Sequence, residues 1–109
     1  MMREDVIQKI REHSNELESE FGVKKLALFG SVARNENTEK SDLDFVVEYK
    51  KGKLGFHSYV GLAVYLEEIF NTKVDLALYN KLRPSIVNEV RKDLIMVFGE
   101  EEICLENGN

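Results

Sequence analysis

Three aspartates carry the strongest chemical signal in this sequence. Asp42 and Asp44 flank Leu43 in a segment rich in β-branched and aromatic residues, and Asp75 lies in a second segment of similar character. On a strand, residues i and i+2 point to the same face, so Asp42 and Asp44 present two carboxylates side by side. A third carboxylate from an adjacent strand would add to their repulsion, which hard divalent cations such as Mg²⁺ relieve through oxygen ligands. We therefore predict a metal site at Asp42, Asp44 and Asp75.

A second feature is the pair Gly30-Ser31, which follows the apolar run 26–29. A glycine at the end of a strand lets the backbone approach a ligand closely. Residues 32–34 resemble the first turn of a short helix, whose N–H groups and dipole suit a phosphate chain. Ser31 adds a hydroxyl donor, and Arg34 adds a cation for a phosphate oxygen. A phosphate site beside metal-binding carboxylates predicts transfer chemistry on a nucleoside triphosphate.

Each feature alone has a simpler interpretation. An isolated D-x-D is usually a solvated strand face, and a lone Gly-Ser is usually a turn. Residues 42–44 lack the glycine and the distal glutamate of a calcium-binding loop, and no G-K-[ST] follows Gly30 as a P-loop would require. The joint spacing favours the functional interpretation. Asp75 depends most on the structure, because its position follows from strand order and register.

Together these segments carry a family resemblance. Gly30-Ser31, ten residues and then Asp42-Leu43-Asp44 resemble the GS-x₁₀-D-x-D signature of the DNA polymerase beta-like nucleotidyltransferase superfamily. With residues 74–76, they look like the minimal nucleotidyltransferases, the MntA-type antitoxins encoded beside HEPN-domain (HepT) toxins. The resemblance covers roughly residues 20 to 98. Many relatives have glycine after the arginine where this chain has Asn35, a residue that tolerates left-handed backbone, so we expect the turn to be kept.

The resemblance implies a role for each matching position. Asp42 and Asp44 would bind two Mg²⁺ ions and the nucleotide phosphates, and Asp75 would bind the catalytic metal and help to deprotonate the incoming hydroxyl. Gly30 and Ser31 would hold the β- and γ-phosphates. The implied reaction is attack of a hydroxyl on the α-phosphate of ATP, with pyrophosphate leaving. In the MntA-type antitoxins the acceptor is a tyrosine of the cognate HEPN toxin, a ribonuclease that is silenced by AMPylation.

These residues need a sheet to hold them, and the hydrophobic patterns supply one. The order of patterns predicts an α/β fold with a small mixed sheet of three to five strands and helices packed on it, in agreement with the polymerase beta-like fold that the resemblance implies. Apolar residues at helical spacing from Val6 to Phe21 predict one amphipathic N-terminal helix. Further helices are predicted near 59–69 and 84–94, and strands at 26–29, 42–49, 73–79 and 95–98.

Length and composition restrict the class of protein. The 109 residues predict one nucleotidyltransferase domain, residues 1–99, followed by an acidic tail, 100–109, that we expect to be frayed. Fifteen basic and twenty acidic residues give a net charge of −5, which argues against a nucleic-acid partner. Cys104 is the single cysteine, and no apolar run approaches the roughly 20 residues of a membrane span. We therefore predict a cytoplasmic protein without a membrane partner.

Three functional hypotheses remain after the sequence has been examined. The first is a Mg²⁺- and ATP-dependent protein adenylyltransferase that acts as the antitoxin of a HEPN toxin. The second is a non-catalytic antitoxin that masks its toxin by stoichiometric binding. The third, nucleotidyl transfer to a small molecule such as an aminoglycoside, is disfavoured because the chain has no room for a second substrate domain. Arg83 and Arg91 are either surface ion-pair partners or nucleotide contacts.

Overall fold

A computed structural model of the chain describes residues 1–105. These residues form five helices and four strands that follow the predicted order. The helices are α1 (Arg3–Glu12), α2 (Ser14–Ser19), α3 (Gly30–Ala33), α4 (Phe56–Phe70) and α5 (Pro84–Asp93); the strands are β1 (Val23–Phe29), β2 (Leu43–Tyr49), β3 (Val74–Leu78) and β4 (Ile95–Phe98). The predicted fold class, a small mixed sheet with helices packed on it, is confirmed.

The sheet has the strand order β3-β2-β1-β4. Strand β1 pairs antiparallel with both β2 and β4, whereas β2 and β3 are parallel. Parallel strands need a crossover connection, which α4 provides between β2 and β3. As a result, the end of β1 and the starts of β2 and β3 lie together at one end of the sheet.

The N-terminal helical pattern is divided into two helices rather than forming one. The sequence predicts a single helix from Val6 to Phe21, but α1 ends before His13 and α2 begins after it. The His13 ring and the Ser14 hydroxyl each bond to a backbone carbonyl of the preceding turn, at 2.8 Å in both cases. Such local bonds compete with helix continuation. Leu17 is nevertheless fully buried, so both helices still pack on the core.

The two faces of the sheet carry separate apolar clusters. Side chains alternate along β2, so Phe45 belongs to the larger cluster under α1, α2 and α4, whereas Val46 belongs to a smaller cluster under α5. Ile103 and Leu105 complete the smaller cluster and are 4% and 7% exposed. This packing differs from the frayed tail expected from sequence. The two apolar side chains pack with α5 on the same face of the sheet. Residues 106–109 lie outside the described residues.

The buried side chains of residues 1–105 are all apolar. Polar groups with a chemical role must therefore lie at the surface, where the sheet ends. In the same residues, no helix has both the length and the apolar character needed to cross a membrane.

Candidate active site

The turn from β1 into α3 brings the backbone against a carboxylate. Gly30 begins α3 with a φ of +80°, and a Cβ added there would overlap the carboxylate of Asp44. Glycine alone allows both this backbone conformation and this approach. Arg3 Nη1 donates to the carbonyl oxygen of Ala33 at 2.9 Å and so holds the other end of the short helix. The predicted close approach at Gly30 is thus present, and Asp44 is the group approached.

The predicted tolerance of Asn35 for a left-handed turn is confirmed. Its φ is +59°, in the region that asparagine adopts more readily than most residues. Directly after it, the N–H of Glu36 donates to the carbonyl oxygen of Ser31 at 2.9 Å and closes the turn. Asparagine at this position therefore leaves the Gly30-Ser31 loop closed on itself.

Strand register places two of the three aspartates side by side. Asp44 and Asp75 are partners in the parallel β2–β3 ladder, whose strands lie about 4.8 Å apart. The N–H of Leu43 donates to the carbonyl oxygen of Lys73 at 2.9 Å, which fixes the start of β2 against the chain entering β3. Asp42 precedes β2 by one residue and is exposed, as is Asp75, whereas Asp44 is half-buried. The structure therefore supplies the register on which the prediction for Asp75 depended.

The carboxylate of Asp44 is in an unfavourable electrostatic environment. Burial raises its pKa to about 6, and the negative charges of Asp75 and Asp42 act in the same direction. Arg34 opposes them and lowers the pKa. A carboxylate whose charge is destabilised by its neighbours is a group that a cation would stabilise.

The three aspartates are neighbours, but their side chains are not arranged as a complete set of metal ligands. Among residues 1–105, no three or more His, Cys, Asp or Glu side chains are grouped so that they could hold a metal ion as they stand. Their oxygen donors, their adjacent strand positions and the raised pKa of Asp44 nevertheless fit the preferences of Mg²⁺. Side-chain rotation at exposed Asp42 and Asp75 would complete the ligand set.

Arg34 lies at the site but is already paired. Its Nη1 is 2.5 Å from Asp93 Oδ2, and its Nε is 3.1 Å from Glu36 Oε1. The hydrogen bond to Asp93 is the main reason that the pKa of Arg34 is raised. Asp93 ends α5 and lies 59 residues further along the chain, so no sequence pattern linked it to the loop. The predicted phosphate contact thus competes with two carboxylates for the same guanidinium.

Tyr59 is a second residue whose position the sequence did not reveal. Its helical spacing assigns it to the apolar side of α4, but its hydroxyl donates to the carbonyl oxygen of Leu76, next to Asp75. Burial raises the pKa of Tyr59, and the charge of Asp75 adds to the effect. Tyr59 therefore ties α4 to β3 beside the third aspartate. A single tyrosine within an apolar stripe carries no signal for such a bond.

The two arginines at the last helix, Arg83 and Arg91, take different positions. Arg91 donates to Asn88 Oδ1 at 2.9 Å and to the carbonyl oxygen of Leu105 at 3.5 Å, so it connects α5 to the tail. Arg83 is the exposed residue before α5. Arg91 therefore makes structural hydrogen bonds rather than the surface ion pair that one interpretation of the sequence expected.

A surface cavity of about 600 Å³ lies at the opposite end of β1 and is separate from the aspartates. Its basic side chains are already paired: Lys50 with Glu18 at 3.2 Å, and Lys24 and Lys25 with Glu48 at 3.6 and 3.9 Å. The aspartate site has the stronger chemical case, because its carboxylates repel one another whereas the lysines of the cavity are paired.

Comparison with known proteins identifies the class of enzyme to which this site belongs. Residues 10–97 match the nucleotidyltransferase domain family, and the chain belongs to that family. The expectation of an enzyme of this class is confirmed. A Methanocaldococcus jannaschii protein, named provisionally as a protein adenylyltransferase, is 38% identical over 85% of this chain and 95% of its own length. The protein adenylyltransferase MntA of Thermococcus cleftensis is 30% identical, over 86% of this chain and 94% of its own length.

Solved structures show the same fold. One, described provisionally as a minimal nucleotidyltransferase, has a TM-score of 0.70 and 30% identity, covering 87% of this chain and 95% of its own. A toxin–antitoxin structure with AMP-PNP has a TM-score of 0.64 at 19% identity, covering 93% and 76% of the two chains. A complex of a tri-AMPylated Shewanella oneidensis HEPN toxin with an MNT antitoxin has a TM-score of 0.55 at 18% identity, covering 90% and 70%. The resemblance to minimal nucleotidyltransferases is thus confirmed.

Proposed function

We propose that the protein is a Mg²⁺-dependent protein adenylyltransferase that transfers AMP from ATP to a tyrosine hydroxyl of a cognate HEPN toxin, and so acts as its antitoxin in the cytoplasm. The observation that carries the proposal is the pairing of Asp44 with Asp75 directly beside the Gly30 turn. This arrangement unites the metal-binding and phosphate-binding halves of the family signature. Residues 1–99 would form the catalytic domain.

Mg²⁺ would be held by Asp42, Asp44 and Asp75, and it would supply charge neutralisation for the triphosphate and the acceptor oxygen. The oxygen donors and the raised pKa of Asp44 support this assignment. With all three aspartates ionised the site carries a charge of −3, which two divalent cations would change to +1. An acidic protein would thereby present a positive site to ATP.

The remaining site residues would bind and orient the nucleotide. Gly30 leaves room for a phosphate chain to approach the backbone beside Asp44, and the half-exposed hydroxyl of Ser31 can donate to a phosphate oxygen. Arg34 would contribute a further donor once it exchanges its pairing with Asp93 or Glu36 for the phosphates. In the transfer, the acceptor oxygen forms a bond to the α-phosphorus and the bond to pyrophosphate breaks. Asp75 would assist removal of the hydroxyl proton.

The choice of acceptor rests on the relatives. Two proteins of at least 30% identity carry the name protein adenylyltransferase, and one structure of the same fold contains an AMPylated HEPN toxin. A nucleotide analogue is present in another such structure, which supports a triphosphate substrate. These likenesses favour a protein hydroxyl over the small-molecule acceptor.

The test is transfer of labelled AMP from ATP to the cognate HEPN protein in the presence of Mg²⁺. We expect a labelled tyrosine on the partner, and we expect Asp42→Asn combined with Asp44→Asn to reduce the labelling by about a thousandfold. Glu48→Gln is the matched control, because Glu48 is a β2 carboxylate paired with Lys24 and Lys25 away from the site.

The competing hypothesis of stoichiometric masking gives the opposite result. If the double variant protects cells from the toxin as well as the wild type does, masking accounts for neutralisation and the catalytic proposal is wrong. Equal labelling by the wild type and the double variant would exclude the aspartates as the catalytic site. Omission of Mg²⁺ should abolish labelling in every variant.

A further inference from the structure

Helix α4 presents an apolar stripe to solvent. We define the α4 stripe as Phe56, Val60 and Val64, which are 77%, 41% and 48% exposed. Leu54, 52% exposed, precedes the helix and extends the stripe. Four of the seven large apolar side chains that are exposed in residues 1–105 therefore lie within eleven consecutive positions. A clustered apolar surface of this kind marks an interaction site more often than scattered exposed residues do.

The stripe has the geometry of a helix-packing ridge. Its residues recur at every fourth position, the row that two packed helices most commonly interdigitate. The buried side of α4 is already used, since Leu62 and Leu66 lie fully in the larger core cluster. The stripe is thus a second apolar face of the same helix, and it is not needed for the fold.

Charge is distributed unequally along the stripe. Lys51 and Lys53 lie before its N-terminal end, whereas Glu68 continues the same four-residue row at its C-terminal end. All three are exposed, and within the described part of the chain none of them forms an ion pair. Lys53 precedes α4 and Glu68 lies in its last turn, about 18 Å from Phe56 along the helix axis, so the two cannot pair with each other in one molecule.

We propose that the α4 stripe is the contact surface for a second copy of this chain, in an antiparallel pair with its twofold axis at Val60. In that pair, Phe56 of one copy meets Val64 of the other, because each lies four residues from the centre. Lys51 and Lys53 of one copy then flank Glu68 of the other, and the same pairing recurs at the other end. The pattern is self-complementary, which an isologous interface requires.

The dimer leaves both catalytic sites accessible. Asp44 and Asp75 lie on the sheet face that α5 covers, whereas α4 packs on the opposite face and its stripe contains none of the site residues. A contact between single helices buries less than the about 800 Å² per partner of a standard interface, so we expect dissociation in the micromolar range. This inference is independent of the proposed enzymatic activity.

Sedimentation velocity of the full chain, from low-micromolar to several hundred micromolar protein, tests the proposal. The wild type should convert from monomer to dimer, and Val60→Asp should remain monomeric at every concentration. Ile86→Asp is the matched control, because Ile86 on α5 is also 41% exposed but lies outside the stripe, and it should dimerise like the wild type. Circular dichroism establishes that each variant is folded.

Charge reversal gives a sharper second measurement. Lys53→Glu and Glu68→Lys should each weaken the dimer by about 3- to 10-fold, and the double variant should recover wild-type affinity because it re-forms the pair between copies.

The proposal is overturned if the wild type stays monomeric throughout or if the double variant is weaker than both single ones. It is also overturned if a monomeric wild type binds its HEPN partner and Val60→Asp weakens that complex, a result that would assign the stripe to the partner. AMP transfer by the Val60→Asp variant reports separately on the catalytic site.

Discussion

The two faces of the sheet differ in how completely they are covered. Under α1, α2 and α4, the larger cluster contains fully buried residues from three helices and from β1 and β2, whereas β3 and β4 add Leu76 and Val97 at 9% and 7% exposed. The face under α5 has a smaller cluster that needs Ile103 and Leu105 from the tail. The larger cluster therefore provides most of the stability, and the smaller one leaves part of its face open.

The aspartates lie on the less covered face. Asp44 alternates with Phe45 along β2 and so shares the face of Val46 and α5, as does its β3 partner Asp75. Asp75 is exposed and Asp44 is half-buried, so both carboxylates are accessible to a ligand. In this fold, one face of the sheet provides most of the stability and the other carries the candidate site. Alternate residues of β2 belong to the two faces.

Matched leucine truncations should show this division most strongly. Leu66 is fully buried in the larger cluster and Leu82 is 5% exposed in the smaller one, so both lose the same atoms on change to alanine. We expect Leu66→Ala to cost about 4 kcal/mol of unfolding free energy and Leu82→Ala about 2 kcal/mol, because a cavity at the less covered face collapses more easily. Urea unfolding measures both values, and equal costs would remove the distinction between the faces.

Alanine substitutions at two glycines of similar conformation distinguish the stability cost of backbone strain from damage to the candidate site. Gly30 has a φ of +80° against Asp44, whereas Gly52 has a φ of +78° and nothing within 4 Å of an added Cβ. Gly30→Ala should cost about 1 to 3 kcal/mol of stability and reduce AMP transfer about 100-fold, because the methyl group displaces the carboxylate. Gly52→Ala should cost about 1 kcal/mol and leave transfer unchanged. Equal activity in the two variants would show that the Gly30–Asp44 approach is not needed for catalysis.

The charge of Asp44 should lower stability in a pH-dependent way. Its folded pKa of about 6 exceeds the ordinary 3.8, so the native state binds the proton more tightly and stability falls as the pH rises between these values. We expect Asp44→Asn to gain about 1 kcal/mol at about pH 8, after allowance for solvent screening, and little at about pH 4. Urea unfolding at both pH values is the measurement. A gain that is independent of pH would exclude ionisation as the cause.

A paired carboxylate on the same strand is the control for this effect. Glu48 lies within 3.6 and 3.9 Å of two lysines, so Glu48→Gln should bring no gain at either pH. Added Mg²⁺ should stabilise the wild type but not Asp44→Asn if the aspartates hold the metal. The two faces would then differ in their response to a cation as well as in packing.

Local pattern was enough to predict most of the fold, but not the contacts that join distant segments. Alternation and helical spacing identified the strands and the α/β class, and the Gly30-to-Asp44 spacing indicated the candidate site, because both patterns are encoded within short stretches. The division of the N-terminal helix at His13 depends on a hydrogen bond formed in the folded chain. The packing of Ile103 depends on its contact with the smaller apolar cluster. The pairing of Asp44 with Asp75 follows from register, which sequence spacing does not determine.

The smallest expected effect concerns the ion pair between Arg34 and Asp93, where α5 reaches the site. This pair is partly exposed, so Asp93→Asn should change stability little. The effect of this substitution on the KM for ATP is more informative, because Asp93 would compete with phosphate for the Arg34 guanidinium. Asp93→Asn should leave the KM for ATP unchanged or lower it, whereas Arg34→Ala should raise it several-fold. If both variants alter stability equally and neither alters KM, Arg34 only anchors α5, and the less covered face contributes to the site through its aspartates alone.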